Sequence, residues 1–342
     1  MPNDNSSAPT VLLAGRMSTA REALLRELLT TDWNILTWDE DQDVERLIEL
    51  APQADVLVGG RFDAATDARA GSLLPTLTNI KLRLVPHTGI NWMQPSDAPK
   101  GCIVCNAFGH EISIAEYIIA GMLESAIGLR ATDARFRAEG WAGRRPGLNP
   151  PHGELYEMTV GIVGYGHIGR EVAKRAAAFG MRVIAASRTV YEAPELDWFG
   201  PMDQLGKLLG ESDYVVVTLP LADETEGLFD AVKFAQMKPT AVIVNVGRGL
   251  VINEKALFEA IRDQRIGGAV IDVWFDYPHE GDVDCRPSKY PFEDFDNVLM
   301  TPHCSGSTDP MRRRRWAQVA ENLDRFQRGE DPINVCFEGT AE

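Results

Sequence analysis

Short apolar runs alternate with helical periodicity along most of the chain, in two successive series. In the first, residues 11–14 (VLLA) read as a strand. Residues 20–29 (AREALLRELL) read as a helix, with apolar positions at i, i+3 and i+4. A strand is expected at 33–38, a helix at 44–50 and a strand at 54–58, with further strand candidates at 82–85 and 103–104. This rhythm implies a parallel sheet with helices on both faces. Residues 112–129 form a long, mostly apolar helical stretch broken by Glu116 and Glu124, expected as a buried helix joining two domains. The Gly- and Pro-rich segment 140–155 reads as an irregular connection. The second series has cleaner strands at 160–163, 183–186, 214–219, 242–246, 269–273 and 298–301. Near-continuous apolar strands suit a parallel sheet covered on both faces. A last helix is expected at 309–327, with Asp309 as N-cap and Pro310 in the first helical position.

Composition narrows the picture. A chain of 342 residues is long enough for about two domains. With 44% hydrophobic and 25% charged residues it is ordinary globular material, not a disordered or collagen-like chain. No run approaches the ~18 apolar residues of a membrane span, and MPNDNSSAPT has neither the basic start nor the apolar stretch of a secretory signal. A cytoplasmic protein is expected. The net charge of −16, from 34 basic and 50 acidic residues, disfavours nucleic acid and anionic membranes as partners. A small anionic substrate would have to be caught by local arginines. Of five cysteines only Cys102 and Cys105 lie close together, with no second pair or histidines at ligand spacing, so no metal is expected and the thiols read as reduced.

The segment TVGIVGYGHIGREVAKRAAAFGMRVIAASR holds Gly164-x-Gly166-x-x-Gly169 between a strand and a helix, with a second strand closing at Ser187. The helix should bury Ile168, Val172, Ala176 and Phe179 and end at Gly180. Gly164 permits the tight turn, Gly166 lets backbone approach a pyrophosphate, and Gly169 lets helix and strand pack closely. Unpaired N–H groups at the helix start favour phosphates. A dinucleotide site for NAD usually carries Asp or Glu at the end of the second strand. Here the residues are Ser187, Arg188 and Thr189, and no carboxylate appears until Glu192. An arginine flanked by hydroxyls suits a 2′-phosphate, so NADP is expected, with NAD as the alternative.

Three later segments follow strands directly, where open α/β sheets bind ligands. They are Asn245 to Gly249 with Arg248, Asp272 to Pro278, and Thr301 to Gly306 with His303. A histidine at a strand end can exchange a proton near neutral pH. Singly, His303 reads as structural and Arg248 as an ion-pair residue. Together, downstream of a dinucleotide fingerprint, they point to catalysis.

In VLVGGRFDA, VPHTGIN, ISIAEY, GYGHIG, TLPLADET, NVGRG, DVW and TPHCSGST, taken in order, the chain resembles the D-isomer-specific 2-hydroxyacid dehydrogenase family over nearly its whole length. That family includes glyoxylate/hydroxypyruvate reductases and formate and phosphite dehydrogenases. The resemblance implies two doubly wound parallel-sheet α/β domains. A flavodoxin-like substrate domain would comprise residues 1–110 and 306–342, and a Rossmann NAD(P)-binding domain, residues 111–305, would be inserted into it. It implies that Arg248 binds the substrate carboxylate and polarises the keto oxygen, that His303 exchanges the proton, and that Asp272 holds the nicotinamide carboxamide. His167, Ile168, Leu219, Pro220, Thr225, Val246, Gly247 and Ser305 join the fingerprint residues as cofactor contacts. Val58, Gly59, Gly60 and Arg61, with Thr88 and Gly89, would cradle the carboxylate through backbone N–H groups. A homodimer is expected by resemblance alone.

One position departs from the family. Where most members pair the histidine with a glutamate, this chain has Tyr277 before Pro278; the nearest acids are Asp276 and Glu280. A carboxylate would raise the histidine's pKa and fix its tautomer. Tyr277 therefore joins Arg248 and His303 as a catalytic candidate. Formate dehydrogenases resemble the chain here in their neutral partner residue, and His110 stands where they place a substrate-binding asparagine. The leading expectation is an NADP-dependent reductase of small 2-oxo acids such as glyoxylate or hydroxypyruvate. The alternatives are oxidation of another small anion, with Arg61, Arg144 and Arg145 as spare contacts, and a dinucleotide-sensing binding protein on the same fold. The run Arg312 to Arg315 reads as a solvated helix turn whose cations oppose the helix dipole and call for acidic neighbours or an anion.

Overall fold

The computed structural model describes residues 8–62, 66, 69, 71, 73–90, 92–141, 151–278 and 284–341. Arg144, Arg145 and Glu280 lie outside them. In chain order the strands are β1 (Thr10–Ala14), β2 (Asn34–Trp38), β3 (Val56–Val58), β4 (Leu82–Leu84), β5 (Ile103–Cys105), β6 (Thr159–Val163), β7 (Arg182–Ser187), β8 (Trp198–Pro201), β9 (Tyr214–Val217), β10 (Val242–Asn245), β11 (Gly268–Ile271), β12 (Val298–Met300) and β13 (Val335–Glu338). The helices are α1 (Arg16–Thr19), α2 (Glu22–Leu28), α3 (Val44–Leu50), α4 (Glu111–Ile127), α5 (Leu129–Glu139), α6 (His167–Ala178), α7 (Leu205–Glu211), α8 (Ala231–Gln236), α9 (Glu254–Arg262) and α10 (Asp309–Arg328). The chain divides into two compact units, residues 1–109 with 308–342, and residues 110–307.

The first unit is a six-stranded sheet in the order β13-β5-β4-β3-β1-β2. All its pairs are parallel except β13 with β5. The middle strands are buried throughout: Val11, Leu12, Leu13, Val56, Leu57 and Val58 are at most 1% exposed. Such strands need cover on both faces. One side of the core gathers Leu47, Leu50, Leu57 and Val104, and the other Leu25, Leu84, Trp316 and Leu323. Cys102 and Cys105 lie in this core, and burial pushes the Cys105 thiol up to about 12.

The second unit is a seven-stranded, wholly parallel sheet in the order β12-β11-β10-β9-β6-β7-β8. From β6 the chain builds outward through β7 and β8, then returns to β9 and builds the other way. The reversal lies between β6 and β9, the place where open parallel sheets of this kind bind ligands. α4 packs its Ile114, Ile118 and Met122 face into the same core as Val160, Val216 and Val244.

Several boundaries differ from the sequence expectation. The long apolar helix stops at Ile127 because Gly128 turns into the left-handed region at φ 68°, and α5 continues beyond it. No single helix among the described residues is long and apolar enough to cross a membrane. β8 (WFGP) carries Gly and Pro, and β13 is mostly exposed; both are edge strands with weak apolar signals. Phe179 is not on the buried face of α6 but follows its last turn, 41% exposed. The N-cap of α10 is Thr308, whose hydroxyl accepts from the Met311 N–H at 3.1 Å, so Asp309 is the first helical residue. Asp309 instead pairs with Arg312, and Glu27 with Arg313, which supplies the acidic neighbours the basic run calls for. Arg314 donates to the Gly109 carbonyl, so the run is not simply solvated.

Asp324 of α10 is 3% exposed and accepts from the N–H and hydroxyl groups of both Thr30 and Thr31, at 2.5–3.2 Å. Burial raises its pKa, the threonine donors lower it, and the donors win. A depressed folded pKa stabilises the unit above the unfolded value, and this is lost as pH falls through the folded one. Asp324→Ala is expected to lower unfolding stability by about 2–4 kcal/mol, read as a fall in denaturant midpoint at neutral pH. An unchanged midpoint would show that the clamp contributes nothing.

Candidate active site

The C-terminal ends of β6, β9 and β10 meet at one end of the second unit. Gly164 leaves β6 with φ +100°, a conformation that strains any residue with a Cβ. Its carbonyl accepts from the Thr218 hydroxyl at 2.7 Å, and a Cβ would stand 3.0 Å from Leu219 Cδ2. At Gly169 a Cβ would lie 2.5 Å from the Gly164 carbonyl oxygen, so the turn and the helix it starts touch there. At Gly166, the N-cap, a Cβ would meet nothing within 4 Å, and no side chain caps the helix. The open side of the turn and the uncapped N–H groups of a 12-residue helix form a cradle that fits a pyrophosphate. His167 is exposed and Ile168 half-buried beside it. The turn after β9 is closed by Thr225, whose hydroxyl donates to Pro220 O at 2.7 Å and accepts from Ala222 N at 2.8 Å. Leu219, Val246 and Gly247 are buried where this turn meets the one after β10.

Past β7, Ser187 is half-buried while Arg188 and Thr189 are exposed; Arg188 has no ion pair among the described residues. An aromatic group that sequence reasoning missed anchors the following loop. Tyr191 stacks on Tyr165 and meets Phe199 edge-on, and its hydroxyl donates to Tyr165 O at 2.7 Å. The Arg170 guanidinium lies over the Tyr191 ring at 5.1 Å. These residues are 5 to 34 positions apart and carry no periodic signal.

The catalytic candidates come together around one buried carboxylate. Asp272, just past β11, is 0% exposed. It accepts from the Thr301 hydroxyl at 2.6 Å, Cys304 N at 2.9 Å and Ser305 N at 3.0 Å. The resemblance assigned Asp272 to the cofactor; the structure also gives it the task of folding the 301–305 turn. Tyr117 of α4 joins the network through Thr301 at 2.6 Å, and burial pushes its phenol up to about 12. Within the turn, His303 is held at φ +54°, an uncommon, strained conformation for a residue with a Cβ. Trp274 Nε1 donates to Thr301 O at 2.7 Å and pins the other side.

Tyr277 reaches the histidine: its hydroxyl is 3.0 Å from His303 Nδ1 and 3.2 Å from Trp274 N. Arg248 is exposed at the turn after β10, and its guanidinium donates to Gly247 O at 2.8 Å. Asn245 braces that turn by donating to Arg248 O at 3.1 Å and accepting from Gly247 N at 3.1 Å. Burial pushes the His303 imidazole below the ordinary histidine value; the Asp272 charge opposes this and the Arg248 charge adds to it. His110 caps the start of α4 without a side-chain cap, and a Cβ on Gly306 would stand 3.5 Å from its own Cβ.

The expected substrate loops lie in the first unit. Val58 ends β3 buried. The Gly59 N–H is spent on Leu84 O at 3.0 Å, so it is not free to hold an anion, contrary to the expectation for this residue. Gly60 carries His87 close above it: a Cβ would lie 2.9 Å from His87 Nε2. Arg61 is exposed. Thr88 donates to Ala107 O at 3.0 Å, and Gly89 O accepts from Trp92 Nε1 at 3.2 Å. His87 thus joins the two loops. The sequence reading passed over it because a half-buried histidine beside a strand has no distinguishing spacing.

Residues 119–305 match the model of the D-isomer specific 2-hydroxyacid dehydrogenase NAD-binding domain. Glyoxylate reductase of Pyrococcus furiosus is 30% identical over 319 residues, covering 89% of each chain. A D-isomer specific 2-hydroxyacid dehydrogenase family protein of Aeromonas salmonicida is 26% identical, with TM-score 0.78 over 97% of this chain and 99% of that one. A D-isomer specific 2-hydroxyacid dehydrogenase of Xanthobacter autotrophicus, solved with NADPH and MES, is 25% identical, with TM-score 0.75 over 97% and 98%. With the domain model matched over residues 119–305 and a relative 30% identical over 89% of the chain, the chain belongs to the D-isomer specific 2-hydroxyacid dehydrogenase family. It is an NAD(P)-binding oxidoreductase of the kind that acts on CH–OH groups.

The electrostatics give a direct expectation. Titration of His303 followed by NMR should yield a pKa below 6.5. Tyr277→Glu places a carboxylate at Nδ1 and should raise that value by about 1 unit or more. A wild-type value at or above 6.5 would show that burial and Arg248 do not govern this ring.

Proposed function

We propose that this chain is an NADP-dependent reductase of small 2-oxo acids, in the size class of glyoxylate and hydroxypyruvate. The observation that carries the reading is that Arg248 and His303 both follow strands of the parallel sheet whose same edge carries the Gly164–Gly169 turn, with the Tyr277 hydroxyl 3.0 Å from His303 Nδ1. The cradle and the turns after β7, β9 and β10 would hold the dinucleotide, which when bound supplies or accepts a hydride at its nicotinamide. The chain's own residues do the rest. Arg248 neutralises the substrate carboxylate and draws electron density toward the keto oxygen. His303 gives a proton to that oxygen as negative charge builds there. Asp272 and Trp274 keep the histidine turn rigid, so little reorganisation accompanies the charge shift. The exposed Arg188, between Ser187 and Thr189, supports NADP, since a guanidinium matches a phosphate in charge and geometry. A homodimer, which rests on family likeness, and a cytoplasmic location, which rests on the thiols read as reduced, belong to the same reading.

A second reading, oxidation of another small anion, is favoured by Tyr277 standing in the place of a carboxylate. Such a reaction places less demand on an imidazolium.

A panel of 2-oxo acids assayed by NADPH oxidation tests the first reading. Turnover of glyoxylate or hydroxypyruvate is expected, with His303→Ala lowering kcat by ~10²–10⁴. No turnover of any 2-oxo acid would remove it. For the cofactor, Arg188→Ala should raise the KM for NADPH by about 10–100-fold and leave that for NADH little changed. A wild-type enzyme with higher kcat/KM for NADH would overturn the NADP assignment.

A further inference from the structure

Tyr277 does more than fill a carboxylate's place. Its hydroxyl stands 3.2 Å from the backbone N–H of Trp274 and 3.0 Å from Nδ1 of His303. A backbone N–H only donates, so the phenol oxygen accepts from Trp274. In the arrangement with the O–H directed at the ring, Nδ1 is the bare, accepting nitrogen. A neutral His303 so bonded carries its proton on Nε2. A carboxylate accepts only and would impose the opposite tautomer.

From this network we infer that Tyr277 and His303 form a two-proton relay: neutral His303 gives its Nε2 proton to the substrate oxygen while Nδ1 takes the proton of the Tyr277 hydroxyl. The inference rests on the 2-oxo acid reading above. In the step, two electrons pass as hydride from a reduced nicotinamide to the carbonyl carbon, and a C–H bond forms. The C–O π pair becomes the new O–H bond as the Nε2–H bond breaks. The phenol O–H bond breaks as Nδ1–H forms, and the negative charge comes to rest on the phenolate. One solvent proton at Nε2, with return of the Nδ1 proton to the phenolate, resets the pair. Tyr277 is 44% exposed, so solvent reaches it.

The surroundings bear on where the charge rests. Burial above all, with the Asp272 carboxylate at the end of β11, raises the Tyr277 phenol above its ordinary pKa; the Trp274 N–H and the Arg248 guanidinium, from the turn after β10, favour the phenolate without overcoming this. The same Arg248 and Asp272 charges face His303, and Tyr117 and Cys304 lie beyond Asp272. A relay of this kind does not need the imidazolium, so reduction should persist above the histidine's own pKa until the phenol ionises.

The test is kcat/KM for glyoxylate reduction across pH 5–10 in the wild type, Tyr277→Phe and Tyr277→Glu, together with 15N NMR of the His303 ring in the resting protein. The wild type should show Nε2–H with bare Nδ1, and a rate near-flat from about pH 6 to 9. Tyr277→Phe should fall about tenfold per pH unit from below pH 6.5, because only the imidazolium remains as acid. Tyr277→Glu should fall the same way from a higher pH and show Nδ1–H. A wild-type profile that falls as Tyr277→Phe does, or a neutral wild-type ring protonated at Nδ1, would overturn the relay. The NMR arm needs no substrate. If no 2-oxo acid turns over, the proposed substrate class fails, and the tautomer decides the hydrogen-bond assignment on its own.

Discussion

The second unit's chemistry depends on a carboxylate that solvent never reaches. Asp272 sits at 0% exposure and spends both oxygens on the turn that follows β12. A buried charge is costly unless hydrogen bonds satisfy it, and here one hydroxyl and two backbone N–H groups do. In return the turn is fixed tightly enough to hold His303 at φ +54°. Strain of this kind persists only where the surroundings over-determine it. Asp272 also sets part of the electrostatic balance at the ring, where its charge works against burial and against Arg248.

The sheet explains why these groups can meet at all. In a parallel sheet every strand ends on the same edge. The turns after β6, β9, β10, β11 and β12 therefore lie together although they span 164 to 305 in sequence. The strands are buried and rigid, so the turns inherit their positions. That leaves the acidic chain free to be locally basic: Arg248 is one exposed guanidinium in a protein of net charge −16, and its effect at His303 and Tyr277 comes from proximity, not from the overall field.

The interior strands were legible in the sequence because burial on both faces forces runs such as VVV and VIVN, and the dinucleotide turn because glycine is required where φ reaches +100° and where helix meets strand. Edge elements were not. β8 and β13 are placed by their neighbours and carry little apolar signal of their own. Asp309 and Thr308 are both good caps by residue type, and only the backbone geometry, φ −132° and ψ 153° at Thr308, separates them. The site was legible as a set of candidate residues and not as a network. Nothing in the spacing of Gly60 and His87, or of Tyr165, Tyr191 and Phe199, announces their contacts, because those depend on which loops the sheet order brings side by side.

Tyr277 illustrates the limit most sharply. Counting positions marks it as a departure, and a departure at an acid–base site reads at first as a weakened partner. The phenol differs from a carboxylate in kind as well as in strength. A carboxylate is an acceptor with a fixed negative charge and holds the ring cationic. A phenol is neutral and can both accept and donate at one oxygen. Here it accepts from the Trp274 N–H, three residues back in the same turn. The backbone of the 272–277 segment is thus linked through a single oxygen to a histidine thirty-one positions beyond Asp272, and the proposed relay runs along that link. The charge balance at the ring follows: with no anion at Nδ1, burial and Arg248 prevail over Asp272, and the imidazole pKa lies below its ordinary value.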